Sequence, residues 1–444
     1  MNDIIAIVIL GILIVFVSRT PRQYVILWAF ATPIFYIIFG FKNLYVSLGF
    51  TRVELFSGLL PMVVCIAAWQ KLTRNERRRA WKYSPKLWWL FLAYYFLSLF
   101  WSDNPGTGIR TVTELAFPSF LYLIAFNVIQ NDFHLDRYYK WMMAINITVA
   151  VFDLYNAVTG WSMIRHVGSM TEGVIGYRTI TAYFYITMAT ILMMRMMDKF
   201  QWHLLALYIV DVFLLLISAS RTPTYVFMAG MAIAVLYRRN VKFTVIGALG
   251  LALLAGILLL VPMQRKFINS QDKLNMRDSG RSFFQKYFAD KAEESPIWGF
   301  GAGGTEVYAG WLTQHVTLVG APHNEYLRVR FDGGMIGLIL FYIGLGDLVL
   351  RGLLWGRGLK EYFPYKAILV MTPIMFAISC TNDNTFFYFY VFTEYLFVFM
   401  GFGARLCYEE RVRQGREDLV LEPEEITQIK EQMGIEPQAM LPAT

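Results

Sequence analysis

The chain has 444 residues, a net charge of +8 and a mean hydropathy of +0.45, and only 16% of its residues are charged. Since soluble domains carry about 25% charged residues, this composition excludes a water-soluble enzyme, a disordered protein and a coiled coil. The apolar residues form continuous runs and do not alternate with polar residues, which also excludes an outer-membrane β-barrel. The sequence therefore predicts an all-α polytopic membrane protein.

Apolar runs bounded by charged or turn residues mark the candidate membrane-spanning helices. In chain order they cover 4–17, 24–41, 53–70, 87–101, 111–130, 141–159, 179–197, 202–218, 223–237, 243–262, 333–350, 365–380 and 385–404. A span needs about 20 apolar residues, so the first run is short. The runs 202–218 and 223–237 are also compatible with one kinked element. We therefore expect 12–13 transmembrane helices.

The distribution of basic residues predicts how these helices are oriented. If the C-terminus is cytoplasmic, the cytoplasmic segments hold 25 of the 40 Lys and Arg residues. Nine of the other 15 lie in one long loop, and long loops are exempt from the positive-inside rule. Arg77, Arg78 and Arg79 mark the cytoplasmic side most strongly. Because basic membrane loops account for the net charge, we expect a lipid bilayer, and no nucleic acid, as a partner.

The same pattern divides the chain into four regions. An N-terminal transmembrane bundle of about ten helices covers 1–262, and a large loop on the non-cytoplasmic face, carrying short helices, covers 263–332. The last three transmembrane helices occupy 333–404, and 405–444 is a cytoplasmic tail. The three cysteines are far apart and lack CxxC spacing, so we expect no disulfide framework and no zinc site.

The large loop combines basic residues with a glycine-rich run. Ser279 is a candidate N-cap, and an apolar stripe that includes Phe284 and Phe288 follows it. These features predict a helix with Arg281 at its start. Free N–H groups in the first turn beside an arginine suit an anion. The run that follows contains Gly299, Gly301 and Gly303, which let the backbone take positive φ angles and approach a neighbour closely. A phosphate-binding nest and tight packing both remain open for this run.

Polar side chains on the non-cytoplasmic side are the candidates for chemistry. His323 lies just before a span, and imidazole groups can accept a proton from a sugar hydroxyl near neutral pH. Arg221 lies in a short turn between two spans, where it either faces the bundle or snorkels to the interface. Arginine binds phosphate oxygens bidentately, so Arg221, Arg281 and His323 together predict a site for a diphosphate or another polyanion.

Further residues near these three are candidates for supporting roles. They are Asn324, Arg328, Asp332 and Arg277, each a candidate for binding an acceptor or for support, and Asp332 is also placed to orient His323. On this side we find no acidic pair with Asp-x-Asp spacing, an arrangement that would bind Mg²⁺ beside a diphosphate. Two arginines can neutralise a diphosphate instead. The sequence therefore predicts chemistry without a metal and without a cofactor.

Several motifs carry a family resemblance. His323-Asn324, nine residues, Gly334, two residues and Gly337 fit the His-[Asn/Ser/Gln]-x9-Gly-x-x-[Gly/Thr/Tyr] signature of bacterial O-antigen ligases and their polymerase relatives. Three other stretches also resemble that superfamily, and they occur in the same order along the chain as in its members. They are the early turn Ser98–Pro105, the turn Ser218-Ala219-Ser220-Arg221, and Gly280-Arg281 with Ser295-Pro296 and Gly299–Gly303. The resemblance covers roughly residues 90–400.

The resemblance implies a glycosyltransferase in the bacterial inner membrane with its active site facing the periplasm. Such enzymes move a glycan from undecaprenyl diphosphate to an acceptor hydroxyl without a metal. By the resemblance, Arg221 and Arg281 bind the diphosphate, and His323 activates the acceptor hydroxyl. A single displacement of this kind inverts the anomeric centre. Other polysaccharide-assembly proteins are expected as further partners.

The acceptor separates the branches of this superfamily. Polymerases extend the glycan on a lipid-linked repeat unit, ligases transfer it to lipid A–core, and a third branch glycosylates proteins. The run from Pro322 to Arg328, with Asp332-Gly333-Gly334, resembles exopolysaccharide polymerases more than core ligases, so a polymerase is expected and a ligase is the alternative. A transporter or flippase for the same lipid-linked glycan, or a structural membrane scaffold, remains the alternative from another class.

Overall fold

The computed structural model describes most of the chain from residue 60 onward, with gaps. The described residues are 8, 11–12, 15, 45–47, 52–54, 60–128, 132–159, 178–218, 220–238, 281–316, 322–357, 365–388 and 392–415. The predicted spans 24–41 and 243–262 lie outside these residues, as does nearly all of the predicted span 4–17. The acidic end of the cytoplasmic tail, from residue 416 onward, lies outside them too.

Helices make up nearly all of the described structure. They are α1 Leu60–Gln70, α2 Arg74–Lys82, α3 Lys86–Leu97, α4 Pro105–Val128, α5 Asp132–Thr159, α6 Arg178–Asp198, α7 Trp202–Ile217, α8 Arg221–Arg238, α9 Arg281–Ala292, α10 Gly304–Val316, α11 Glu325–Gly356, α12 Tyr365–Asn382 and α13 Thr393–Arg413. Two single 3₁₀ turns, Ser98–Trp101 and Thr385–Tyr388, interrupt them. A short antiparallel hairpin, β1 (Tyr45–Ser47) with β2 (Arg52–Glu54), was not predicted.

The described helices confirm a multi-pass, all-α membrane protein. Four stretches are long and apolar enough to cross a membrane, by length and composition: Pro105–Val128, Thr179–Met197, Glu325–Gly356 and Tyr365–Asn382. Three further apolar helices are shorter: Lys86–Trp101, Trp202–Leu216 and Arg221–Leu236. The runs 202–218 and 223–237 form two separate helices, α7 and α8. The total of 12–13 spans stays a prediction.

Contacts between helices set their relative directions. Along α11, Asp347 accepts from the backbone N–H of Leu87 in α3, while Gly333 accepts from the hydroxyl of Tyr94, so α11 and α3 are antiparallel. Gly352 of α11 packs on Leu369, near the start of α12, so α11 and α12 are antiparallel as well. The first residues of α11 therefore lie at the same end of the bundle as the last residues of α3 and α12.

Helix α11 begins earlier than the predicted span at 333–350. It starts at Glu325, and Asn324 caps it by accepting from the N–H of Leu327 at 3.1 Å. Gly334 has φ 62° and ψ −163°, which interrupts the helix. The helix resumes because the N–H groups of Met335 and Ile336 find acceptors in the carbonyls of residues 296 and 297. The hydropathy run began at the interruption, and the polar first segment was assigned to the loop.

The large loop contains two helices packed on the first segment of α11. Helix α9 begins at Arg281, which confirms the helix predicted there. Phe284 and Phe288 are buried, and the ring of Phe288 lies 5.0 Å from the ring of Phe331 in α11. Phe331 also stacks on Phe300 at 4.6 Å, ahead of α10. These aromatic contacts form a second, small core that fixes the described part of the loop against the membrane bundle.

Candidate functional site

The glycine-rich run between α9 and α10 is a packing element. Gly299, Gly301 and Gly303 have φ angles of 70°, 82° and 83°, a region that side chains with a Cβ rarely adopt. A Cβ on Gly301 would lie 2.4 Å from the Cα of Ser102, and a Cβ on Gly303 would lie 2.5 Å from the backbone nitrogen of Gly108. The run therefore packs backbone to backbone against the turn that follows α3.

The hydrogen bonds of this run decide between the two interpretations left open by the sequence. Every backbone N–H from residue 299 to residue 305 already has an acceptor within the protein. The acceptors are the carbonyls of residues 295, 301, 331 and 332, the hydroxyl of Ser98 and the carboxylate of Asp332. A phosphate cradle needs free N–H groups, so this run is not one in the described structure.

Asp332 occupies the position that an external anion would take at the start of α10. Its carboxylate accepts from the backbone N–H of Thr305 at 2.7 Å, from the hydroxyl of Thr305 at 2.7 Å and from the N–H of Gly303 at 3.3 Å. The hydroxyl of Tyr95 donates to it at 2.6 Å. An internal carboxylate thus satisfies the helix N-terminus. Asp332 was expected to orient His323 or to bind a sugar, but its oxygens are committed to these partners.

We expect Gly301→Ala to destabilise the protein by at least about 1–2 kcal/mol, the backbone cost of a left-handed residue with a Cβ, with overlap against Ser102 adding to it. Gly310 is the matched control, because it lies exposed on α10 with open space around its Cα. Gly310→Ala should be neutral or stabilising by about 0.5–1 kcal/mol. Thermal unfolding in lipid nanodiscs compares the two, and equal midpoints would contradict the packing role.

We expect Asp332→Asn to cost about 1.5–3 kcal/mol, because an amide replaces one charged acceptor with a donor that faces other donors. The exposed Asp290 on α9 supplies the control Asp290→Asn, which should change little. Limited proteolysis of the 281–316 region reads out the local effect. A variant as resistant as the wild type would show that Asp332 is dispensable for anchoring α10.

His323 lies in a strained turn directly before α11. Its φ is 47°, and it is the one residue other than glycine with a positive φ in the described part of the chain. Pro322 precedes it and the N-cap Asn324 follows, so the turn is fixed on both sides. The side chain of His323 is 24% exposed, which leaves the imidazole reachable from outside the bundle. Strained residues that persist in a fold are often functional.

Two side chains that follow α12 lie against the imidazole of His323. Nδ1 is 3.7 Å from a carboxylate oxygen of Asp383 and 3.3 Å from the amide nitrogen of Asn384. Asp383 and Asn384 are both buried. Asp383 and Asn384 were not predicted from the sequence as partners of His323. The available signal was the polar run from Thr381 to Asn384 between two apolar stretches, at the same predicted end as His323.

Arg328 forms the centre of a buried ion cluster next to this turn. Its side chain is 2% exposed and ion-pairs with Glu306 of α10. Its guanidinium also donates to the hydroxyl of Thr111 in α4 at 3.3 Å and lies 3.5 Å from Glu325 and 3.9 Å from Glu114. One cation therefore joins α4, α10 and α11. Arg328 thus lies inside the bundle and holds these helices together.

The ion cluster also holds the chain segment that follows α12, which carries Asp383 and Asn384, in place. Glu325 accepts from the backbone N–H of Phe386 at 2.9 Å. The guanidinium carbon of Arg328 lies 5.2 Å from the centre of the Phe386 ring. Phe386 belongs to the 3₁₀ turn that follows Asp383 and Asn384. These contacts thus fix the residues that flank His323 relative to the start of α11.

The three arginines predicted from the sequence differ in how much of their position the structure describes. Arg221 is exposed at the start of α8, and α8 packs against α12 through Gly230 and Met375. The ring of Tyr183, near the start of α6, lies 4.7 Å from that of Phe392, just before α13, so α6 begins at the His323 end. Helix α7 returns to that end and α8 begins there, with no hydrogen bond between Arg221 and His323 in the described structure. Arg281 begins α9 at that end, but its side chain lies outside the described part. Arg277 lies outside the described residues altogether.

Metal binding was not expected from the sequence. Within the ranges that the structure describes, no three His, Cys, Asp or Glu side chains are grouped so that they could hold a metal ion. The site instead combines one partly exposed imidazole with buried carboxyl and amide partners. Chemistry without a metal stays a prediction.

The structure thus defines a class: a multi-pass helical membrane protein whose histidine-centred polar site lies at one end of its apolar helices. Residues 204–342 match the family described as O-antigen ligase, so this part of the chain is similar to that family. It is also 25% identical over 268 residues to a Rickettsia conorii protein provisionally named a polysaccharide ligase. That similarity covers 57% of this chain and 64% of the relative, so the chain spans less than two thirds of the relative's length.

Proposed function

We propose that the protein is a metal-independent, inverting glycosyltransferase that moves a glycan from undecaprenyl diphosphate to an acceptor hydroxyl. The partly exposed imidazole of His323, held by Asp383 and Asn384 at one end of the bundle, is the observation that carries this proposal. The match of residues 204–342 to the O-antigen ligase family supports the substrate class. The exposed Arg221 at the same end supports an anionic leaving group.

The proposed reaction is a single displacement at the anomeric carbon. The acceptor oxygen attacks that carbon while Nε2 of His323 accepts the hydroxyl proton. The bond from the anomeric carbon to the diphosphate oxygen breaks, and undecaprenyl diphosphate leaves with the electron pair. Arg221 and Arg281 neutralise the charge that develops on the diphosphate. Attack from the face opposite to the leaving group inverts the configuration.

The partners of Nδ1 support Nε2 as the base. Nδ1 faces Asp383 and Asn384, so a proton on Nδ1 is stabilised by the carboxylate, and Nε2 keeps its lone pair. The amide of Asn384 serves this tautomer when its oxygen faces Nδ1, since the oxygen and nitrogen of an amide exchange by a flip. Asp383 then also stabilises the imidazolium that forms during transfer.

We further propose the bacterial inner membrane as the location, with His323 on the periplasmic side and the C-terminus in the cytoplasm. The positive-inside distribution supports this orientation. The donor is a lipid-linked glycan. The resemblance of the run 322–328, with 332–334, to exopolysaccharide polymerases supports a lipid-linked repeat unit as the acceptor, and thus a polysaccharide polymerase. Transfer to lipid A–core is the second candidate, because the similar Rickettsia conorii protein carries a ligase name.

Reconstitution into liposomes tests these assignments. The purified protein receives an undecaprenyl-diphosphate-linked repeat unit, alone or with lipid A–core, in the presence of EDTA. Long glycan from the repeat unit alone supports a polymerase, and product only with lipid A–core supports a ligase. Activity that EDTA abolishes and Mg²⁺ restores would overturn the metal-independent mechanism. Movement of the lipid across the bilayer without any transfer would make the protein a transporter.

A further inference from the structure

A second group of buried polar side chains lies between α5, α6 and α7, apart from the His323 site. Asp211 is located in the middle of α7, nine residues after its start and six before its end, and its relative exposure is 0%. Asn146 and Asp153 of α5 and Tyr185 of α6 are also buried. Ionisable side chains inside an apolar helix bundle are costly and are retained for a reason.

The hydrogen bonds of this group leave two acceptor oxygens without a donor in the described structure. Asn146 donates from Nδ2 to Oδ2 of Asp211 at 2.8 Å. Oδ1 of Asp211 and Oδ1 of Asn146 are both buried and have no hydrogen-bond partner among the described residues. The neighbouring hydroxyls are committed elsewhere: Tyr185 donates to Asp153 at 2.5 Å, and Tyr208 of α7 faces the sulfur of Met231 at 3.3 Å.

An ionised Asp211 does not fit these surroundings. The described ionisable groups that face it are Tyr185 from α6 and Tyr208 from α7, with Asp153 of α5 bonded to Tyr185, and none of these is a cation. A desolvated carboxylate with one amide donor is therefore uncompensated. A proton on Oδ1 removes the charge and supplies the missing donor. The O–H would then donate to the free Oδ1 of Asn146, and with the amide N–H it would pair Asp211 and Asn146 as in an acid–amide ring.

We propose that Asp211 and Asn146 form a proton-binding site inside the bundle, in which Asp211 is a neutral carboxylic acid that joins α7 to α5. The site lies outside the proposed transfer chemistry and uses none of its residues. Polar pairs of this kind hold helices together where no water competes.

Infrared difference spectroscopy of the full chain in lipid nanodiscs tests this site. A protonated carboxyl has a carbonyl band above the amide I region, which shifts on exchange into D₂O. We expect a band of this kind at neutral pH that is lost in Asp211→Asn and retained in the control Glu394→Gln, since Glu394 is another buried carboxyl, at the start of α13. The amide introduced by Asp211→Asn offers the same two hydrogen bonds, so the unfolding midpoint of this variant should match the wild type, whereas Asp211→Ala lowers it.

Two results would overturn the proposal. Wild-type and Asp211→Asn spectra that are identical in the carboxyl region would show that Asp211 is ionised. A midpoint that rises with Na⁺ but not with choline, in the wild type and not in Asp211→Asn, would assign the two free oxygens to a metal cation. Either result leaves the glycosyltransferase proposal unaffected, because transfer by the same preparations is measured separately.

Discussion

Arg328→Met is expected to destabilise the protein by about 3–5 kcal/mol, since removal of one partner from a buried ion cluster leaves charge uncompensated. Glu306, Glu325 and Glu114 all lie within 4 Å of this one guanidinium. Methionine fills much of the same space, so the loss is one of charge and hydrogen bonds. We expect low yield after membrane extraction and an unfolding midpoint many degrees below that of the wild type.

Arg330 is the matched control for this experiment, because it lies on the same helix two residues later. Its ion pair with Glu293 is partly exposed, and surface pairs contribute about 0–1 kcal/mol. Arg330→Met should therefore leave the midpoint nearly unchanged. Tryptophan fluorescence during thermal unfolding in nanodiscs compares the two variants. If both lose the same stability, the cluster around Arg328 does not act as an anchor.

His323→Ala is expected to lower transfer by about 10²–10⁴-fold, the usual contribution of a general base, while the protein stays folded. The imidazole is partly exposed, so water can take its place beside Asp383 and Asn384 in the variant. The assay is transfer from the undecaprenyl-linked donor in liposomes under single-turnover conditions, in which substrate binding and product release do not limit the rate. The variant should still bind the donor, since the arginines remain.

His203 supplies the control for this variant. It is exposed at the start of α7, at the opposite end of the bundle from His323. His203→Ala should transfer as the wild type does. Asp383→Asn should lose less activity than His323→Ala, because it removes only the charge beside Nδ1. Full transfer by folded His323→Ala would show that another group accepts the proton.

Much of the fold could be predicted from hydropathy. Long apolar runs identify α4, α6, α11 and α12, because a bilayer requires such runs wherever the chain crosses it. The start of α11 could not be predicted in this way. Residues 325–333 are polar enough to resemble a loop, and their packing against α3, α4, α9 and α10 makes them a buried helix. The hairpin at 45–54 is too short for a periodic signal.

The site could be predicted only in part, for a related reason. His323 and its motif are local in sequence, and local patterns are what a single sequence shows. The partners of His323 and of Asp332 are 60 and 237 residues away in the chain, at Asp383 and Tyr95. Such pairs are fixed by helix packing, which composition does not reveal. The glycine run was ambiguous until its N–H groups could be traced to their acceptors.

The interruption at Gly334 separates a membrane-length part of α11 from the segment that follows His323. The part of α11 after it, residues 335–356, has 22 residues and a length of roughly 33 Å at 1.5 Å per residue, which matches the roughly 30 Å apolar thickness of a bilayer. The segment that carries His323 at its start therefore projects beyond this thickness. In the proposed reaction, a sugar acceptor can then remain hydrated, and only the prenyl tail of the donor has to stay dissolved in lipid.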